Sequence, residues 1–158
     1  MKKDVVLLVY GTGGHKEQMR RLRKYLRSDI EYVAISTKKN EIEGIIAFRP
    51  VPKLREDYGI FLTIINIVER LYAPVAAVNR LMKEYNIRVA ISTGSGIAII
   101  PFLVCRLRKC KTVFFESWSR FTIPSISGMF LYRITTIFFI QNMSLKKRYP
   151  RALYCGRL

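Results

Sequence analysis

Short apolar runs rich in β-branched and aromatic residues recur along this chain, and helix-compatible stretches lie between them. The runs are Val5 to Tyr10, Tyr32 to Thr37, Ile45 to Val51, Arg88 to Thr93, Thr112 to Ser117 and Thr136 to Gln141. The helical patterns cover Gly14 to Arg27, Phe61 to Tyr85, Ile97 to Leu107 and Ser125 to Arg133. Most of the strand runs are apolar throughout rather than alternating, which predicts a parallel sheet covered on both faces. Strands that alternate with helices then require right-handed βαβ crossovers. The fold class expected is α/β, a Rossmann-like three-layer domain with a mostly parallel sheet. With 158 residues, half of them hydrophobic, the chain suffices for one domain, 1–158, with a real core. No internal repeat, low-complexity tract or linker divides it.

In an open α/β sheet, ligands sit beyond the carboxyl ends of the strands. Three segments fall there. The first, "VYGTGGHKEQ" at 9–18, carries Gly11, Thr12, Gly13 and Gly14 into a helix start and places the single histidine, His15, at the junction. Its spacing fits neither G-x-G-x-x-G, because Lys16 takes the third glycine position, nor a P-loop. A nicotinamide or flavin site, and with it a complete small nucleotide-cofactor enzyme, is disfavoured, and no cofactor is expected. Two readings remain: backbone amides and a helix dipole that face a phosphate or diphosphate, or a tight turn without a ligand.

The second segment, "STGSGIAIIP" at 92–101, repeats the device with Thr93, Gly94, Ser95 and Gly96. The third, "FFESWSR" at 114–120, adds a carboxylate, an aromatic ring and a guanidinium. Arg120 suits forked binding of phosphate, or an ordinary ion pair with Glu116. Glu116 suits a general base or a sugar-hydroxyl acceptor, with that same ion pair as the alternative. Trp118 and Phe121 suit a lipid, a sugar face or core packing. Gln141 and Asn142 close a strand, to touch a sugar or to serve the backbone.

Charge narrows the company the chain keeps. Twenty-eight Lys and Arg against eleven Asp and Glu give a formal +17, an imbalance suited to nucleic acid, anionic lipid or phosphorylated substrates. A nucleic-acid-binding domain is the weaker choice: no recognition signature is present, and the basic residues are spread over several elements. Cys105, Cys110 and Cys155 show neither C-x-x-C spacing nor a nearby histidine, so neither a disulfide framework nor a metal site is indicated, and a reducing cytoplasm is the simplest setting. The N-terminus lacks the apolar length and cleavage site of a signal peptide. The most hydrophobic long segment, 59–82, is interrupted by Glu69, Arg70 and Pro74, against a membrane span.

Taken in order, "YGTGGHKEQM", "STGSG", "FFESWSR", "SISGMFLY", "IQN" and "YPRALYCGRL" resemble the acceptor-side subunits of split GT-B glycosyltransferases. These include PssD-like capsule and exopolysaccharide proteins and the membrane-anchoring subunit of the eukaryotic enzyme that adds the second GlcNAc to a lipid diphosphate. The resemblance runs from Val5 to Leu158 and extends to the N-terminal half of MurG-like enzymes. It implies that Gly11, Gly13, Gly14 and His15 correspond to a loop at the acceptor diphosphate, Gly94 and Gly96 to a second glycine loop, and Glu116 to a carboxylate in the acceptor cleft; Thr12, Thr93, Ser95 and Arg120, singled out by their own chemistry, complete the expected acceptor- and phosphate-binding set.

The resemblance also implies a division of labour. A separate partner chain would bind the UDP-sugar, while this chain binds the lipid-diphosphate-linked acceptor and the membrane, without activity of its own; a scaffold or activator role is the alternative. His15 and Glu116 compete for the role of base, and His15 also suits a bond to the diphosphate. The chain begins almost directly with a strand, so attachment to the cytoplasmic face of an anionic membrane is expected to be peripheral. The basic face of the first helix, the Arg106 to Lys111 cluster and Lys146-Lys147-Arg148 would provide it, at about 1 kcal/mol per basic residue. The tail "YCGRL" is expected as a strand or tail against the partner.

Overall fold

The computed structural model describes residues 2–38, 42–53 and 67–158. Seven strands form one sheet: β1 (Asp4–Tyr10), β2 (Glu31–Ser36), β3 (Ile45–Pro50), β4 (Asn86–Ser92), β5 (Lys111–Phe115), β6 (Ile137–Ile140) and β7 (Leu153–Tyr154). Their spatial order is β3-β2-β1-β4-β5-β6-β7, and every pairing is parallel. The expected Rossmann-like sheet is therefore present and wholly parallel among the described residues. Pro50 is accommodated because β3 is an edge strand, where a missing ladder donor costs little.

Among the described residues four α-helices accompany the sheet: α1 (Gly14–Arg23), α2 (Ile67–Glu84), α3 (Ile99–Leu107) and α4 (Ile126–Ile134). Each expected helix is found, with shifted ends. The α1 pattern was expected to reach Arg27, but after Arg23 the chain tightens: Tyr25 N–H donates to Leu22 O at 2.9 Å and Leu26 N–H to Arg23 O at 3.3 Å, the i→i−3 spacing of a fraying helix end. The second helix was expected from Phe61; residues 61–66 of that expectation lie outside the described residues. Pro74 sits buried inside α2. No helix among the described residues is long and apolar enough to cross a membrane.

Alternation along β1 sorts the core into two layers. Val5, Leu7 and Val9 face one side, where Val78 and Leu81 of α2, Phe102 and Cys105 of α3 and Leu131 of α4 pack against them. Leu8 and Tyr10 face the other, against Met19 and Leu22 of α1. Helices thus cover both faces, as the apolar strands required, though unequally.

The tail begins as a strand on the chain's own sheet. Leu153 and Tyr154 pair with Phe139 and Ile140 of the same chain, and Cys155 N–H donates to Ile140 O at 3.1 Å. Of "YCGRL", Tyr154 thus joins the chain's own sheet, and Leu158 packs against the α1 side of the core. The basic clusters do not share a face: α1 lies on one side of the sheet, whereas α3, which carries Arg106, packs on the other.

Candidate functional site

From β1 the chain winds outward through β2 to β3, then returns to build β4 on the other side of β1. The β1/β4 seam is therefore the topological switch point, the place where open α/β sheets hold ligands. Register puts Val9 beside Ser92, so the two glycine loops leave the sheet side by side.

The loops interlock. A Cβ on Gly11 would stand 2.6 Å from Ser95 Cβ, and one on Gly94 would stand 2.7 Å from His15 Nδ1; neither position has room for a side chain. Ser95 holds φ 78 with ψ 145, a region almost reserved for glycine and costing on the order of 1–3 kcal/mol. The seam is closed by two reciprocal bonds, His15 Nδ1 to Thr93 O at 3.0 Å and the Thr93 hydroxyl to His15 O at 2.7 Å. A carbonyl only accepts, so Nδ1 carries the proton in this bond and neutral His15 keeps its free lone pair on Nε2.

In front of the seam lies a cavity of about 560 Å³. Gly11, Thr12, His15, Ser95, Gly96 and Arg120 line it, which brings together six of the eleven residues singled out from sequence. Gly13, Gly14, Thr93, Gly94 and Glu116 are not among its lining residues; Thr93 and Glu116 are buried, and Gly13 and Gly14 are exposed. The lining also includes hydroxyls that sequence reasoning missed, on Thr37, Ser117, Ser119, Ser125 and Ser127, as well as Lys53. Among the described residues no acidic side chain lines it, and Ile97, Ile99 and Ile126 form an apolar flank. Hydroxyls, amides and two cations around an apolar flank suit a ligand with phosphate and sugar at one end and hydrocarbon at the other.

Glu116 is only 1% exposed and is saturated by donors. Its Oε1 accepts from Ser117 N–H at 2.9 Å and Ser125 Oγ at 2.8 Å; its Oε2 accepts from Tyr149 OH at 2.9 Å and Ser125 N–H at 3.3 Å. The ion pair with Arg120 raised above is not formed, and no ion pair of Arg120 occurs among the described residues. Room for the carboxylate comes from Gly128 in "SISGMFLY", where a Cβ would fall 1.9 Å from Oε2. Burial, reinforced by the Glu116 charge, pushes the Tyr149 phenol well above its ordinary range.

A second buried network braces the loop after β5. Gln141 Nε2 donates to Gln18 Oε1 at 2.7 Å and to Glu116 O at 2.9 Å, and its Oε1 accepts from Leu158 N–H at 2.9 Å. Asn142 Nδ2 holds Trp118 O at 2.9 Å and Arg120 O at 2.6 Å. Both amides are spent within the chain rather than on a ligand. Trp118 is half-buried under the Arg21 guanidinium, 4.8 Å from the ring centroid, while Phe121 stays 53% exposed. Gln18 was missed because a glutamine beside Met19 on a helix reads as surface, yet it is fully buried.

A wholly parallel sheet among the described residues, with helices on both faces and a crevice at its switch point, defines the class: a Rossmann-like α/β domain. The chain belongs to the family described as "Oligosaccharide biosynthesis protein Alg14 like", whose model matches residues 6–158. It is 23% identical to the human UDP-N-acetylglucosamine transferase subunit ALG14, over 97% of this chain and 82% of that one. The subunit of the same name from Debaryomyces hansenii is 26% identical over 97% of this chain and 75% of its own. Among solved structures, MurG of Acinetobacter baumannii superposes with a TM-score of 0.65 at 13% identity, covering 99% of this chain. This chain accounts for 44% of MurG's length, so the fold shared is that of one part of a larger protein.

Proposed function

We propose that this chain is the acceptor- and membrane-binding subunit of a two-chain glycosyltransferase. A partner chain holds a UDP-sugar, and the sugar passes to a lipid-diphosphate-linked saccharide seated in the cavity at the β1/β4 seam. The observation that carries the reading is the interlocking of the two glycine loops around His15, which exposes backbone and hydroxyl donors to one cavity. The names of the human and yeast relatives, transferase subunits both, support it, as does the match to part of MurG rather than to all of it.

In this reading the loop backbone at Gly11, Thr12, Ser95 and Gly96, with Arg120, holds the acceptor diphosphate. The lipid leaves along Ile99 and Ile126, toward the exposed Ile123, Met129 and Phe130, where the chain meets the cytoplasmic face of the membrane peripherally. His15 is the base: Nδ1 is held by Thr93 O, and Nε2 takes the proton of the acceptor hydroxyl as its oxygen bonds the anomeric carbon and the bond to the UDP oxygen breaks. Glu116 acts as a positioning residue that fixes the loop carrying Ser117, Ser119 and Arg120. Synthesis of a capsule, an exopolysaccharide or a glycolipid is the setting that fits.

The test is a transfer assay on membranes with UDP-sugars and a lipid-diphosphate-sugar acceptor, comparing this chain, its candidate donor-binding partner, and both together. Activity is expected only in the mixture. Vigorous transfer by this chain alone would overturn the division of labour. A mixture that binds lipid and forms a complex but stays inactive would leave a scaffold.

A further inference from the structure

The edge of the sheet opposite the glycine loops carries its own cavity, of about 510 Å³. It lies where α2 ends, where β1 begins and where α3 turns into β5. Lys2, Arg80, Lys83 and Arg108 line it together with Asn79 and Tyr72, and among the described residues no lining side chain is acidic. None of Arg80, Lys83 and Arg108 pairs with a carboxylate among the described residues. The nearby Glu84 is committed to Arg49, at 2.7 Å. Lys2 is folded over the cavity by a bond from Nζ to Met82 O at 2.7 Å.

Four cations drawn to one concavity repel each other unless an anion joins them. The dipole of α2 accounts for Lys83 in its last turn, but not for Lys2 and Arg108, which come from separate parts of the chain. The remaining wall, Val75, Ala76 and Met82, is apolar. We propose that this cavity is a second anion site, one that takes a phosphate-bearing ligand, either a phospholipid headgroup or a soluble phosphate ester. It is independent of the acceptor reading, because it lies at the other end of the strands and shares no lining residue with the seam cavity.

The experiment is a residue-resolved NMR titration of the full chain with sodium pyrophosphate, paired with sedimentation on phosphatidylcholine vesicles with and without phosphatidylserine. Two charge-matched variants separate site from bulk charge: Arg80→Ala/Arg108→Ala in the cavity, and Lys38→Ala/Arg157→Ala at the opposite end of the strands. All four side chains are exposed, so neither variant threatens the fold. Saturable shifts at Asn79, Lys83 and Arg108 that weaken by about tenfold or more in the cavity variant alone would establish a site for soluble phosphate. Loss of serine-dependent vesicle binding in that variant alone, without saturation by pyrophosphate, would assign a lipid headgroup. Equal losses in both variants, or none in either, would overturn the site and leave only net charge. The transfer assay reads none of these quantities, so either proposal can fail without the other.

Discussion

His15 and Thr93, 78 residues apart in sequence, hold each other by two bonds: Nδ1–H to the Thr93 carbonyl at 3.0 Å and the Thr93 hydroxyl to the His15 carbonyl at 2.7 Å. The first sets the tautomer and the second sets the distance between the loops. His15→Gln can still donate toward Thr93 O but cannot accept a proton at neutral pH. In the reconstituted two-chain assay it is expected to lower kcat by about 100-fold or more and to abolish the acid limb of the pH–rate profile, with KM for the acceptor little changed. Thr93→Val removes only the second bond, at a cost of about 1 kcal/mol, and should keep that limb. A His15→Gln enzyme with a native pH profile would remove His15 from the base role.

Glu116 and Gly128 form a lock of size. A methyl group added at Gly128 would stand 1.9 Å from Oε2, and the buried carboxylate has nowhere to move. Gly128→Ala is expected to destabilise by about 3 kcal/mol or more, seen as a fall in Tm of roughly 6–12 °C. Glu116→Ala leaves the donors of Ser117, Ser125 and Tyr149 unmatched and is costly too. It also opens the space that the added methyl needs. The double variant should therefore be more stable than the sum of the singles predicts, by about 1–3 kcal/mol. Strict additivity in chemical denaturation would mean that the two residues do not press on each other.

Much of this architecture was legible in the chain because it rests on local signals. Apolar runs marked six strands, and small residues after β1 and β4 marked the seam. Loop position alone, however, could not show which way Glu116 faces. Period-two alternation sends Phe114 toward the α2–α4 layer and Phe115 toward α1, and Glu116 follows Phe114 inward to Tyr149. Its partners, Ser125, Gly128 and Tyr149, belong to segments joined only by folding. The same holds for Gln18 and Gln141, 123 residues apart. β7, two residues long, has too little length to show a period.

Tyr149 makes alkaline stability a readout of the Glu116 pocket. Burial first and the Glu116 carboxylate second raise the folded phenol above its ordinary value of 10.0. Above that pH the unfolded chain releases this proton while the folded chain keeps it, so the folded state binds more protons and stability falls as pH rises. Tyr149→Phe has no proton to lose. It is expected to be less stable than the native chain at pH 7 by about 1–2 kcal/mol, the worth of a bond to a charged acceptor, yet to lose less stability between pH 9 and pH 11, a window of roughly one unit either side of the free phenol. Parallel stability–pH curves for the two proteins would show that Tyr149 titrates normally in the fold.

Gln141 ties three distant parts of the chain through one side chain: Gln18 on α1, the Glu116 carbonyl after β5, and the amide of Leu158. Every hydrogen-bonding atom faces a protein partner, and both amides are buried. Gln141→Leu keeps the volume and strands the Glu116 carbonyl and the Leu158 amide, while Gln18 Oε1 still accepts from Trp118 N–H at 3.3 Å, so a loss of about 2–4 kcal/mol is expected, held below two full desolvation penalties because the tail can turn its amide to water. That escape is the diagnostic. Hydrogen exchange should show the Leu158 amide losing its protection in Gln141→Leu while the β1 and β4 amides exchange in proportion to global stability. Gln18→Leu, which leaves the Leu158 bond intact, should destabilise without freeing that amide selectively. If both variants expose the tail equally, the tail is held by the packing of Leu158 against the α1 side of the core and by Arg21, whose guanidinium donates to Leu158 O at 3.2 Å.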